Sequence, residues 1–219
     1  MENIHGETLF SLWPEWDAER RQQRFVQACS LARSIMELPE SILPHGDQKG
    51  SFDTVCGQIL KALSVLETIP GMGVLVSRSR KALDRYGESL RKPAVYCWMH
   101  PDFHFDNLVW SETDRRLCLL DFEDLCFAPA DYFLDTPFRM LAYPHLYANE
   151  IDDPRQKRED YEGLFAIMQK ELPLCFADPR WKTRTALYSL AYDLRHLSGS
   201  PKIGSLVTRT NDDLKRLGL

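Results

Sequence analysis

Three short apolar runs, Ala94–Met99, Leu108–Trp110 and Leu117–Leu120, stand together in the middle of a chain whose flanks carry the helical period. So few and such short runs are too little for a sandwich or a barrel, so the β element must sit inside a mostly helical body. The polar turn Glu112-Thr113-Asp114 joins the second and third runs as a hairpin. Upstream, Phe25, Cys29, Ala32, Ile35 and Met36 share one face of a helix predicted over Ala18–Leu38, with Asp17 as its cap and Pro39 past its end. A second predicted helix carries Val55, Ile59, Leu63 and Leu66 and stops at Pro70-Gly71, and a third covers Ser79–Leu90 before Pro93. Leu43–Ser51 reads as loop. After Pro129 the spacing predicts helices over Asp131–Ala142, Glu159–Leu172 and Trp181–Leu197, then a short C-terminal piece. No repeat, low-complexity tract or linker divides the 219 residues, so a single domain is expected, helical over residues 1–93, β-rich over 94–128 and helical again over 129–219.

Composition narrows the function classes. A hydrophobic fraction of 44% can build a core, which excludes disorder. The net charge of −5 argues against a nucleic-acid partner held by bulk charge. No apolar stretch approaches the roughly 20 residues of a spanning helix, and Met1–His5 has neither half of an export signal. A cytoplasmic protein with no membrane partner is therefore expected. The six cysteines form no CxxC pair and read as buried free thiols in a reducing compartment. The five tryptophans read as packing groups, and the charged clusters at 78–85 and 155–158 as solvated helix faces.

The chemistry concentrates in His100-Pro101-Asp102-Phe103-His104-Phe105-Asp106-Asn107, which follows the first apolar run, and in Leu120-Asp121-Phe122-Glu123, which ends the third. Asp102 and Asn107 lie five positions apart, and Asp121 follows across the hairpin. This is the order of a kinase catalytic loop and metal-binding aspartate, H-x-D-x-x-x-x-N, then a hairpin, then D-F-x. Phosphoryl transfer needs a carboxylate to orient a hydroxyl and take its proton, and hard oxygen ligands for Mg²⁺. Two blander readings compete. Asp and Asn favour ordinary turns, and H-x-D-x-H on a strand would put three metal-binding side chains on one face. The shared register of His100, His104, the hairpin and Asp121 speaks against the first. The second lacks any further histidine cluster.

These strings, HPDFHFDN and LLDFED, resemble the HGDxHxxN and IDFED segments of the aminoglycoside phosphotransferase and choline kinase group of kinase-like enzymes. Gly6–Pro14 is similar to the segment after the nucleotide hinge in that group, and Ala130–Pro144 to the helix after the metal loop. The resemblance implies an α+β, mainly α-helical fold, a protein-kinase-like C-terminal lobe with a small β-hairpin element at the catalytic cleft. It implies transfer of the ATP γ-phosphoryl group to a hydroxyl of a small-molecule substrate, with ATP and Mg²⁺ as cofactors. By position, Asp102 matches the catalytic aspartate, and His100 the loop histidine that braces the metal segment. Asn107 and Asp121 match the ligands of the nucleotide-bound magnesium. Glu123 either touches a second metal or faces solvent. His104 matches a second histidine common in the group, and either Asp131 or Asp135 matches an aspartate that steadies the catalytic loop.

The chain departs from the pattern in two places. Pro101 replaces a usual glycine, and proline there favours an extended His100, which suits a strand end. Nothing before His100 reads as a Gly-rich hairpin followed by a strand lysine, so the N-terminal lobe of such enzymes is expected to be missing. Three outcomes are compatible with that expectation: an enzyme acting with its large lobe alone, a non-catalytic pseudokinase-like binding module, or a fragment completed by a small-lobe partner chain or in a homodimer. A docking face for such a lobe predicts an exposed apolar patch beside the hairpin and first long helix. Glu150, Asp152 and Asp153 are candidates for attracting a cationic acceptor.

Overall fold

A computed structural model of the chain describes residues 5–42, 49–144, 153–201 and 204–219. Asp17 opens the first long helix by accepting the Arg20 amide at 2.8 Å, and the predicted apolar stripe keeps it helical from Ala18 to Met36. With it come a two-residue strand β1 (Glu7–Thr8) and a single helical turn α1 (Leu9–Leu12), so the long helix is α2. Ser51 caps α3 (Phe52–Leu66), and α4 runs Gly73–Tyr86. The sequence spacing puts the start of α4 later, at Ser79. The helix begins at Gly73 because Leu75 and Val76 extend the buried stripe of Ser79 and Ala82 backwards through the glycine-flanked turn.

The β region holds β2 (Tyr96–Met99), β3 (Leu108–Ser111), β4 (Arg116–Leu119) and β5 (Cys126–Pro129). The hairpin forms as expected, with Leu108 opposite Leu119 and Ser111 opposite Arg116. Ser111 and Asp114 hydrogen-bond across its turn, and Arg115 closes it in a left-handed conformation. Two pairings have no sequence signal. β1 joins β3 antiparallel, and β5 returns against β2 with Met99 opposite Cys126. The β1 pairing needs glycine beside it, because a Cβ on Gly6 would lie 2.3 Å from the Trp110 carbonyl oxygen and 2.7 Å from Val109 Cγ1. Gly6→Ala is therefore expected to cost about 1–3 kcal/mol, read as a lowered thermal midpoint.

The C-terminal helices are α5 (Asp135–Ala142), α6 (Leu164–Glu171), α7 (Trp181–Gly199) and α8 (Gly204–Arg216). The helix predicted from Asp131 starts as a 3-10 segment, Ala130–Leu134, before α5. The helix predicted from Glu159 is likewise a 3-10 turn, Arg158–Tyr161, broken from α6 by Gly163 at φ 80°.

Two cores result. One packs α2 and α6 on the strands around Trp13, Trp98, Phe105 and Phe133, and the other joins α3, α4, α7 and α8. Tyr132 touches both. One buried ion pair, Asp131 with Arg184, crosses the seam, while Asp135 pairs with Arg139 at 2.5 Å within α5 and Asp193 with Arg209 joins α7 to α8. All six cysteines are free; burial pushes the Cys29 and Cys97 thiols up to about 12 and Cys126 to about 11, so they serve as neutral packing groups.

The apolar patch expected beside the hairpin and α2 is absent among the described residues. The Arg24 guanidinium lies 3.5 Å from the Trp110 ring centroid, and Arg20 pairs with Glu112 at 2.7 Å, so that face is polar. No described helix is long and apolar enough to cross a membrane.

Asp178 ties the entry of the β region to α7. Its buried carboxylate accepts from the Arg180 guanidinium and amide and from the Ala94 amide at 3.2 Å. The Arg180 hydrogen bond, opposed by burial, brings its pKa down from 3.8 to about 2. A depressed carboxyl contributes stability that is complete above the unfolded value and lost as pH falls toward the folded one. About 1 kcal/mol should disappear between about pH 5 and about pH 3 in urea titrations, and Asp178→Asn should flatten that slope.

Candidate active site

The loop after β2 alternates plugs and polar groups. Phe103 packs on Phe133 with ring centroids 5.2 Å apart, and Phe105 packs on Trp13 at 4.4 Å. These buried rings fix the backbone, and the intervening Asp102, His104 and Asp106 are left to form their own network. The Asn107 side-chain amide donates to the Asp102 carbonyl at 3.0 Å and approaches Asp102 Oδ2 at 3.5 Å. The Thr136 hydroxyl at the start of α5 holds the Pro101 carbonyl at 2.7 Å.

Asp121 is set by its neighbour. The Leu120 amide donates to the Asn107 carbonyl at 2.8 Å, and the Leu120 carbonyl accepts from His100 Nε2 at 2.9 Å. The loop thus grips the residue before Asp121 from both sides. Asp121 itself sits in the left-handed region, φ 60° and ψ 62°, a conformation that costs a non-glycine residue of order 1 kcal/mol. His100 is buried, so it acts as a positioning residue through Leu120 rather than on substrate. The exposed Phe122 ring meets the His100 ring edge-on at 5.6 Å.

His104 binds Asp102 Oδ2 through Nε2 at 3.3 Å and accepts the Asp106 amide on Nδ1 at 3.2 Å. The His104 hydrogen bond, against burial, holds the Asp102 carboxyl below its ordinary value, so it is ionised at neutral pH. Burial lowers the His104 pKa, but its bonds to Asp102 and Asp106 prevail and raise it to about 9. The amide bond to Nδ1 requires the neutral ring. Protonation must exchange that bond for one to Asp106 Oδ2, now 3.6 Å away.

The two aspartates offered by sequence for steadying the loop do something else. Asp131 forms a two-oxygen pair with the fully buried Arg184 and accepts from Tyr188. Asp135 accepts from Arg139 and, at 2.8 Å, from Ser189. The contact to the loop belongs to Thr136, which no motif singles out. Glu123 is exposed with no partner among the described residues, and Asp124 pairs with Lys49 at 2.8 Å. Asp153 pairs with Arg155 at 2.9 Å, whereas Glu150 and Asp152 lie outside the described residues.

Among the described residues no three His, Cys, Asp or Glu side chains gather as a metal cage. The donor chemistry here is of another kind. Asn107 spends its amide nitrogen on Asp102, which leaves its oxygen, and Asp121 makes no side-chain bond among the described residues. One neutral and one charged hard oxygen suit Mg²⁺, which takes few protein ligands and completes its shell with phosphates and water. The residues fit that ion.

Beside Asp102 lies a cavity of about 180 Å³ at the seam of the two cores. Pro101, Asp102 and Thr136 line one side, Tyr132, Asp135 and Arg139 another, and Gln58 of α3 with Tyr192 and Arg195 of α7 the third. The helical contributors carry no local sequence motif; only the fold brings them to the loop.

A helical body with this loop, hairpin and left-handed aspartate is a kinase-like fold. It resembles the crystal structure of a choline/ethanolamine kinase family protein from Mesorhizobium loti with a TM-score of 0.53 and 14% identity, over 100% of this chain and 67% of that one. The pattern of the phosphotransferase enzyme family (APH) matches residues 54–132, from α3 through the loop after β2 and the hairpin to Tyr132. No curated protein matches by sequence. The structural likeness shows a kinase-like fold, and residues 54–132 are similar to that phosphotransferase family.

Proposed function

We propose that this protein transfers the γ-phosphoryl group of ATP to a hydroxyl of a small molecule in the cavity beside Asp102. The observation that carries this reading is the grip of His100 and Asn107 on Leu120, which sets Asp121 against the loop bearing Asp102. Mg²⁺ and ATP bound at Asn107 and Asp121 would supply a charge-neutralised phosphoryl group. Asp102 accepts the hydrogen bond of the acceptor hydroxyl and takes its proton as the hydroxyl oxygen bonds to phosphorus. The bond from phosphorus to the bridging oxygen breaks, and ADP leaves. Asp102 is suited to this by being ionised, and by a side chain that is 52% exposed beside the cavity.

Phosphorus NMR of the protein with Mg–ATP and cationic, neutral and anionic hydroxyl compounds tests the proposal. ADP and a phosphomonoester should rise together with one of the three classes. Release of free phosphate alone, or no turnover with any class, overturns it.

A second reading rests on the unmatched third of the neighbour's chain: another polypeptide completes the nucleotide site. Its mark is transfer that appears only when that polypeptide is added. The polar cover of Arg20 and Arg24 over the hairpin speaks against docking on that face.

A further inference from the structure

The charges around the cavity do not match those a cationic acceptor would need. Lys49 is matched by Asp124 at 2.8 Å, and Arg139 by Asp135 at 2.5 Å. Asp102 is engaged by His104. Arg195 differs. Among the described residues its side chain meets only the His196 Nε2 at 3.3 Å and the Tyr192 ring at 5.4 Å, and no carboxylate. Apart from Asp102, the base of the proposed reaction, the charge on the wall without an opposite partner among the described residues is that of Arg195.

Neutral polar side chains line the same cavity. The Tyr132 and Tyr192 hydroxyls and the Gln58 side-chain amide make no hydrogen bond with any described residue, yet all three residues line the same cavity. A second, smaller cavity shares Gln58, Tyr132, Tyr192, Arg195 and Asp135 with it, and the two oxygens of Asp135 are already taken by Arg139 and Ser189. Polar groups in a cleft that satisfy nothing in the protein are available to a ligand. The Tyr192 ring is held in place by stacking on the Arg139 guanidinium, 3.5 Å from its centroid. At about 180 Å³ the space lies below the ~300 Å³ lower end of drug-sized pockets, so it favours a small acceptor over a multi-ring one.

From this geometry we infer that the acceptor is a small hydroxylated anion, its carboxylate or phosphate held by Arg195 with Tyr132, Tyr192 and Gln58, and its hydroxyl directed at Asp102. This deepens the phosphotransferase reading and rests on it for the role of Asp102, but the anion site is testable without catalysis. An arginine in such a site contributes a charge-assisted hydrogen bond, and loss of one weakens binding about 10- to 100-fold.

Ligand-observed NMR titrations of the full chain without nucleotide, up to ~10 mM ligand, would use D-glycerate as the carboxylate probe and glycerol 3-phosphate as the phosphate probe. Glycerol and choline serve as neutral and cationic controls. At least one anion should bind more tightly than both controls, and which one identifies the anionic group. Arg195→Ala should weaken that anion about 10- to 100-fold, and Arg195→Lys should restore part of the loss. Arg195 is exposed, so the thermal midpoint of both variants should match that of the parent chain. Preference for choline or glycerol, undiminished anion binding in Arg195→Ala, or no anion binding across the range overturns the inference. Anion binding that depends on Arg195 in a protein that transfers no phosphate would leave the site standing and overturn the phosphotransferase reading alone.

Discussion

Asp102→Asn is expected to lower the transfer rate by about 10²- to 10⁴-fold while the fold and nucleotide binding persist. The substitution keeps the shape and an oxygen able to accept from Asn107 and His104, so the loop network survives. It removes the charge that takes the hydroxyl proton. The aromatic plugs Phe103 and Phe105 fix the loop independently of residue 102, and the side chain is 52% exposed, so the folded state has little to lose. Steady-state transfer and thermal unfolding on the same preparation separate the two effects. A rate within threefold or so of the parent would remove Asp102 from the chemistry.

The largest effect on stability is expected at Arg184. Its side chain is fully buried, and its guanidinium holds Asp131 through both carboxylate oxygens, the Ser89 carbonyl at 2.8 Å and the Tyr188 hydroxyl at 2.7 Å. It joins α7 to the 3-10 segment before α5 and to the 3-10 turn Gly87–Leu90 that follows α4. Arg184→Ala leaves the Asp131 carboxylate buried without its counter-charge, and burial already raises that carboxyl above its ordinary range. A loss of about 3–5 kcal/mol follows, or a fall of roughly 10 °C or more in thermal midpoint. Replacing both partners, as Asp131→Asn with Arg184→Leu, should recover some of the loss because no lone charge remains. An Arg184→Ala midpoint within about 2 °C of the parent would contradict this account of the seam.

What the sequence shows and what it hides divides along local and non-local lines. α2 is legible because its cap and stripe lie within the segment, and the hairpin because its turn residues do. β5 is not: Cys126–Pro129 has no alternation and ends in proline, and it becomes a strand only because β2 lies beside it. β1 has two residues and exists only through β3. The loop from His100 to Asn107 is readable because its chemistry is contiguous, and Asp121 because one hairpin separates it from the loop. The bracing role of His100 is legible only through the family resemblance, and in the structure it is the bond from Nε2 to the Leu120 carbonyl. Thr136, Gln58, Tyr192 and Arg195 come from three helices with no shared spacing, and only tertiary packing brings them to Asp102. Spacing leaves the choice between Asp131 and Asp135 undecided for the same reason, since each is committed to an α7 residue more than fifty positions away.

The proposed chemistry stands or falls on Asn107 and Asp121 holding a divalent metal on the nucleotide phosphates next to Asp102. Electron paramagnetic resonance with Mn²⁺ in place of Mg²⁺ reads that directly, by titrating the metal into the protein with and without ATP. Metal binding should appear with nucleotide, be lost in Asn107→Ala and in Asp121→Asn, and be kept in Asp102→Asn. Binding that survives both ligand substitutions, or that never depends on nucleotide, would mean that these two residues do not hold the metal.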